Sequence, residues 1–544
     1  MLIKKLFTLS LILTIINLSV TGQTYEWVKG MGGSQYDYGN GQIIDASDNI
    51  YSTGSFNGTV DFDPNTGVHN LTSALGDDAF ISKLDANGNL IWAKNLGTGS
   101  DSKGIDISQD NEGNIYVLGS FKGTGDFNPN SNETNLTSTG TRPDLFITKL
   151  DTSGTLVWAK KIGSNLTDYA NAIALDTSGG VYITGRYSGT IDLNPNSGVD
   201  TVSNSGTYGH FIAKWDKNGN FIWGQNVGQN LSGEEIKISV ALSGDIYIAS
   251  SFWGTADFDP STNTTNLTAA GYYDIFIYKL NTNGNFVWAK SFGGGDLEII
   301  SDISTDASGN IYATGRFWGT TDFDPSSSIH NLTSMGGSDA FIAKLDINGN
   351  FLWVKRIGST SDEREGAITV DPFNNVYVIG NFETTKSFLT KLDASGNFLN
   401  TQYFNNPMEY PNINVDVLGN VYITGSFTSG LNFTSSAGPV YLYGHGRSDI
   451  FILKLSQTIT GIADISIPNN KFTVSVYPNP TSLELTIKAE EPIESISIFD
   501  TKGVFIKTVN NMDSPINVSM FSNGVYLLKI KTKTAEGYSS FIKK

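Results

Sequence analysis

The chain has 544 residues, with 35 basic and 53 acidic groups, a net charge of −18 and no Cys. Without cysteine, disulfide scaffolds, thiolate catalysis, iron–sulfur clusters and Cys-ligated zinc are excluded. The acidic balance argues against nucleic acid or an anionic membrane surface as partner, and abundant Gly, Ser, Thr and Asn with only 16% charged residues reads as strands and turns.

Residues 1–22 read as a secretory signal peptide. Lys4 and Lys5 supply the positive start, Leu6 to Leu18 an apolar core, and Val20-Thr21-Gly22 the small residues before a cleavage point. No later stretch is apolar enough to span a bilayer, so the mature protein is expected to be exported without a membrane span.

From residue 23 the chain repeats itself. The string Gly-Asn-Ile-Tyr-x-x-Gly-x-Phe, with variations, places its tyrosine at Tyr51, Tyr116, Tyr182, Tyr247, Tyr312, Tyr377 and Tyr422. A second string, Asp-x-Phe-Ile-x-Lys-Leu-Asp, follows each tyrosine, with its aromatic at Phe80, Phe146, Phe211, Phe276, Phe341, Phe388 and Phe451. A third carries Trp27, Trp92, Trp158, Trp223, Trp288 and Trp353, and Asn400 takes the seventh slot. Each copy parses into four strands; in the second these are Ile105–Ser108, Asn114–Phe121, Leu145–Leu150 and Leu156–Ile162. Tight turns such as Asn87-Gly88 join the last two strands of a copy. Both strand faces are apolar, so each sheet must be covered on both sides, as in a ring of blades. Trp27 belongs to a fourth strand with no first three before it, and Phe451 to a third strand with no fourth after it. The two leftovers are complementary. The expected fold is all-β: a seven-bladed β-propeller of four-stranded blades over residues 23–456, closed by its N-terminal strand.

Gly309 to Phe317 and Asp339 to Asp346 resemble the SBBP (seven-bladed β-propeller) repeat proteins of bacteria. The resemblance implies the fold and leaves activity open, because a propeller is a platform for many functions.

Residues 457–472 read as a linker, and 473–544 as a small β-sandwich. The charge changes at the same place: residues 6–470 carry 24 basic and 46 acidic groups, a net of −22, whereas the stretch from Lys471 carries 9 and 7. The opening Tyr477-Pro478-Asn479-Pro480, the turn at Asp500 to Gly503, the strand from Asn523-Gly524-Val525-Tyr526 and the basic end resemble the type A sorting domain of the type IX secretion system, found in Bacteroidota. That resemblance implies Tyr477, Pro478, Asn479, Pro480, Gly503, Gly524 and Tyr526 as sorting-motif positions. It also implies the type IX machinery as partner and a product that is released or held at the outer-membrane surface.

On one face of the ring five copies insert a hairpin: Asp61-Phe62-Asp63-Pro64 and its equivalents at Asp126, Asp192, Asp257 and Asp322. In an extended segment residues two apart point the same way, so each hairpin aims two oxygen-bearing side chains one way and Phe or Leu the other. Asp61 with Asp63, Asp257 with Asp259 and Asp322 with Asp324 are thus candidate calcium ligands. The spacing fails the EF-hand loop, where Thr66 occupies the glycine position. The competing reading is a capped turn with an apolar plug. Further acidic sets recur at Asp37, Asp101, Asp168, Asp296 and Asp362, and at Asp78, Asp144, Asp274, Asp339 and Asp449; these read as turn or inter-blade bonds.

Trp253 and Trp318 on adjacent copies are candidates for stacking on sugar rings. The sixth copy lacks the hairpin and the seventh has only Leu431-Asn432-Phe433, which predicts a low rim there. No nucleophile elbow, zinc helix or phosphate loop is present, and no two carboxylates stand out. The expectation is a secreted or cell-surface, non-enzymatic protein binding a glycan or protein ligand; the alternative is a polysaccharide-degrading enzyme using carboxylates on the decorated face.

Overall fold

The computed structural model describes residues 23–457 and 474–543, apart from 131, 205, 207, 229–230, 232–235, 383–385, 429, 436–437, 490, 501–504, 510–514, 522–523 and 534–535. The expected signal peptide, nearly all of the linker and Gly503 lie outside the described residues. Two compact units result, one over Gly22–Ser456 and one over Gln457–Lys544. No described helix is long and apolar enough to cross a membrane.

The first copy shows how the repeat folds. After β1 (Gln23–Met31) come β2 (Tyr38–Ile44), β3 (Ile50–Asp61), β4 (Asn70–Leu84) and β5 (Leu90–Leu96), hydrogen-bonded in that order as one antiparallel sheet. The β4–β5 turn is set by Asp85: its Oδ1 accepts the N–H groups of Asn87 (2.9 Å) and Asn89 (2.8 Å), while Gly88 takes φ +75°, where a side chain would be strained. In the second copy Asp101–Gln109, Ile115–Lys122, Asp144–Leu150 and Leu156–Ile162 repeat the order. β1 itself joins Asp449–Gln457, Val421–Phe427 and Glu409–Val415 of the last copy. There the buried Gln23 amide donates to the Gly419 carbonyl (3.0 Å), and Lys454 pairs with Glu26 (3.0 Å).

Apolar clusters lie between successive copies. Tyr51 and Ile81 pack with Ile115 and Phe146, Tyr116 and Ile147 with Ile183 and Phe211, and, from last copy to first, Tyr422 and Ile452 with Ile50 and Phe80. The copies therefore share their cores, each buried Phe contributing about 1.5–3 kcal/mol. First strands pack against one another in sequence, from β2 through Asp101–Gln109 and onward to Glu409–Val415, which again meets β2. The Asp106 carboxylate accepts the N–H of Ile173 in the next copy (2.9 Å), and Asp302 does the same for Ile368 (2.9 Å). This first unit is all-β and propeller-like.

The seventh copy departs from expectation. Leu431–Ser435 and Gly438–Leu442 pair as a hairpin longer than the three-residue strands of copies two to four, and Leu431 and Phe433 are buried. The rim is thus built up beside this copy, because its alternating apolar residues plug the sheet without the Asp-x-Asp-Pro sequence. In the sixth copy Lys386–Leu392 follows soon after Val376–Phe382.

In the C-terminal unit, Val474–Tyr477, Glu484–Ala489 and Ile516–Asn517 form one sheet, and Phe505–Val509, Ile493–Asp500, Gly524–Thr532 and Glu536–Lys543 a second. Leu485, Ile496, Ile498, Val518, Leu528, Ile530 and Phe541 are buried together as its core.

Candidate recognition face

The two ends of the propeller-like unit differ in kind. At the tight-turn end most repeats carry an Asp–Tyr–Lys triad; in the fourth, Ala241 takes the Asp position, Lys279 pairs with Asp245 (2.9 Å) and the Tyr247 hydroxyl donates to the Gly309 carbonyl (3.4 Å). In the third copy the Tyr182 hydroxyl donates to Asp176 (2.9 Å), Lys214 bonds the same carboxylate (3.2 Å), and its ammonium lies 4.7 Å from the Tyr182 ring centre. Burial works to raise the Asp176 carboxyl, but bonds from Ser178, Gly180, Tyr182 and Lys214 outweigh it and hold it at about 2. The second copy repeats this with Asp110, Tyr116 and Lys149, and the fifth with Asp306, Tyr312 and Lys344. These triads explain why Tyr and Lys recur in the two strings. Their charges are consumed inside the blade.

At the loop-bearing end the Asp residues of the five hairpins cap their own turns. Asp61 Oδ1 accepts the N–H groups of Asp63 (3.0 Å) and His69 (2.8 Å). Asp257 serves Asp259 (3.1 Å) and Thr265 (2.8 Å), and Asp322 serves Asp324 (3.1 Å) and His330 (2.9 Å); Asp126 and Asp192 do likewise. The second carboxylates are also engaged: Asp63 accepts from Asn65 (3.0 Å), Asp259 from Ser261 (2.9 Å) and Asp324 from Ser326 (2.9 Å). Phe62, Phe127, Leu193, Phe258 and Phe323 are buried between them, and Phe258 sits 4.5 Å from the Phe276 ring centre. His69 reaches the Ala93 carbonyl (3.0 Å), while His330 bonds Asp324 (3.0 Å) and stacks on Phe351. Among the described residues no three His, Asp or Glu side chains converge in a metal-holding group.

The recurring acidic sets divide by burial. Asp78, Asp144, Asp274, Asp339 and Asp449 are all buried. In the connections between copies, Asp37 and Asp168 are buried but Asp101, Asp296 and Asp362 are exposed; Glu298 and Glu363 take the buried place in copies five and six. Each accepts the N–H four residues before it, Asp37 from Gly33 (2.7 Å) and Glu298 from Gly294 (3.0 Å) among them. The longer Glu reaches the same loop from a shifted position, which alignment of Asp with Asp hides. Burial pushes Asp37 and Asp168 up to about 6 and Asp78 and Glu298 up to about 7, against the backbone bonds that pull them down.

Trp253 is half-exposed and Trp318 is less so. The Arg316 guanidinium lies 5.4 Å from the Trp318 ring centre. Sequence reasoning missed this pairing and its relatives: Arg186 lies 4.8 Å from Tyr169 and 4.4 Å from Tyr208, and Arg447 5.3 Å from Tyr36. A signal was available, since the chain has six arginines, Arg142, Arg186, Arg316, Arg356, Arg364 and Arg447. Five fall at strand ends or in loops of the loop-bearing end, and Arg316 lies within the long strand Ile311–Asp322 that runs out to it.

In the C-terminal unit Asn479 Oδ1 accepts the Ile542 N–H (2.8 Å) and the Thr481 N–H donates to the Ile542 carbonyl (2.8 Å), so the Tyr-Pro-Asn-Pro segment is tied to the last strand. The Lys488 ammonium lies over the Tyr477 ring, and Tyr526 stacks on Phe541 at 5.2 Å. Gly524 opens the strand Gly524–Thr532.

Residues 475–544 match the secretion system C-terminal sorting domain family, and residues 157–186 match the beta-propeller repeat family SBBP. An uncharacterized WD repeat-containing protein, L264, of Acanthamoeba polyphaga mimivirus is 25% identical over 245 residues, 40% of this chain and 18% of that protein. The regulatory protein FlaEY of Caulobacter vibrioides is 24% identical over 293 residues, 50% of this chain and 29% of that protein. The chain thus spans less than a third of the length of either relative. A solved polysaccharide lyase, an ulvan lyase, aligns at 11% identity with a TM-score of 0.38, covering 78% of this chain and 96% of that one; a likeness this distant carries no argument about activity. The sorting domain implies engagement with the type IX secretion machinery. The chain is therefore a secreted or cell-surface β-propeller-repeat protein that ends in a type IX sorting domain.

Proposed function

We propose that the protein is a non-enzymatic recognition module, exported through an N-terminal signal peptide and the type IX route, whose propeller closes as seven four-stranded blades and presents its loop-bearing face to a glycan or protein. The closure rests on β1 completing the last copy's sheet and on the apolar cluster shared by last and first copies. The observation that carries the recognition reading is the contrast on this face. Its aromatics are open to solvent, with Trp253 50%, Tyr272 73% and Tyr410 71% exposed, whereas its high-pKa carboxylates are fully buried and tied to loop N–H groups. A carboxylate sealed from solvent cannot protonate a polymer, so these groups serve the loops. We read the Asp-x-Asp-Pro hairpins in the same way, as capped turns that need no calcium.

The test is to incubate the mature chain with a polysaccharide panel, in calcium and in chelator, measuring binding and released sugar together. Binding without product, equal in both buffers, is the expected result. Release of oligosaccharide would replace this reading with a secreted polysaccharide-degrading enzyme. Binding lost in chelator would return the hairpin carboxylates to a metal role.

A further inference from the structure

The chain has 35 basic residues, and the six arginines among them are segregated. Lysines serve the triads at the tight-turn end, while every arginine lies at the loop-bearing end. Lysine would serve solubility at either end equally well. Arginine differs in offering a planar, weakly hydrated fork that grips carboxylate or sulfate through two parallel N–H bonds and that stacks on aromatic rings.

Arg356 bonds Asp339 (3.4 Å) and the Thr333 carbonyl (2.5 Å), and so braces its own blade. Arg186 and Arg316 occupy the same register position, directly after Gly185 and Gly315 in a second strand, where the other copies carry Ser55, Ser120, Ser251, Asn381 and Ser426. Arg186 is held between the rings of Tyr169 and Tyr208, and Arg316 against Trp318. Rings that hold a guanidinium lower the entropy lost when it grips an anion. Between these two copies lies the fourth, which presents Trp253 and Tyr272, half-exposed and exposed. First strands of copies three, four and five pack in succession, so the three sets are neighbours.

We propose that copies three to five of the loop-bearing face bind an acidic polysaccharide, with Arg186 and Arg316 gripping its charged groups and Tyr208, Trp253, Tyr272 and Trp318 stacking on its sugar rings. This deepens the recognition reading above and rests on it. Guanidinium groups on two copies with aromatic faces between them match a polymer whose anionic groups recur along a chain of apolar ring faces. Asp296, exposed in the connection into copy five, lies close to Gly319 and opposes an anion there.

The experiment titrates the mature full chain with polygalacturonate, as a carboxylate probe, and dextran sulfate, as a sulfate probe, against neutral dextran, polyglutamate and single-stranded DNA. Tight binding is expected for one or both acidic polysaccharides and not for the three controls. The double variant Arg186→Gln/Arg316→Gln should weaken it about tenfold or more, with an unchanged melting temperature. Arg142→Gln should leave it as in the wild type, and Asp296→Asn should tighten it. Wild-type affinity in the double variant would overturn the proposal, as would failure of both acidic polymers to bind. Preference for neutral dextran would overturn it while leaving glycan recognition standing. Equal binding of polyglutamate or DNA would reduce the surface to a general anion trap and remove the sugar-stacking role. Cleavage of either polysaccharide would overturn the recognition reading itself.

Discussion

At the scale of single residues, the hairpin carboxylates of the decorated face cap their own turns. Asp322 spends one oxygen on two backbone N–H groups, and those bonds set the turn that lets Phe323 reach the core. An amide oxygen accepts the same bonds, so Asp322→Asn should change stability by less than about 0.5 kcal/mol, whereas Asp322→Ala should cost about 1–2 kcal/mol. Both are read by denaturant unfolding in calcium and in chelator. A calcium-dependent stability that the Asn variant abolishes would sink the capping account. Phe323→Ala should cost about 3–5 kcal/mol, because the ring fills a site between Phe317 and Phe341 that cannot collapse. The hairpins themselves were legible in the sequence, because alternation and turn chemistry are local. That the carboxylates face their own backbone was not legible, since the same spacing serves a cation equally well.

At the scale of elements, the strand Gln23–Met31 belongs in space to the far end of the repeat. It was readable as a leftover fourth strand, and the structure pairs it with Asp449–Gln457. Deleting residues 23–31 should expose the unpaired edge of that strand, with its row of free N–H and C=O groups. The expected outcome is aggregation by light scattering and loss of a single sharp unfolding transition. A monomer with unaltered melting would mean that this strand adds little to the last copy's sheet. The hairpin of copy seven lacks the Asp-x-Asp-Pro string that marks the others, because a plug needs only alternating apolar residues such as Leu431 and Phe433.

At the scale of the whole molecule, most of the buried carboxyls that burial pushes upward gather at the loop-bearing end. Asp37, Asp78, Asp168 and Glu298 have folded-state pKa values raised to about 6 or 7, above those of an unfolded chain. The fold therefore binds their protons more tightly than the unfolded chain does. Their contribution to stability is full below the unfolded values, near about pH 4, and is lost as pH rises through about 6 to 7. The melting temperature should be higher at about pH 5 than at about pH 8. A profile that is flat or rises over this range would show that these carboxylates are ionised in the fold and compensated by another charge.

The repeat, the four strands of each copy, the tight turns, the hairpin insertions and the sorting module are all readable from the amino-acid order alone. Each of these is written in short-range periodicity or in a local string, and backbone chemistry converts such patterns into structure without help from distant residues. Which carboxylates are sealed away, the replacement of Asp by Glu298 and Glu363 in two connections, and the meeting of Arg186 and Arg316 with aromatic rings emerge from the packed fold. Those outcomes depend on how one copy packs against the next. Burial and stacking are properties of that packing, which brings together side chains that lie far apart along the chain.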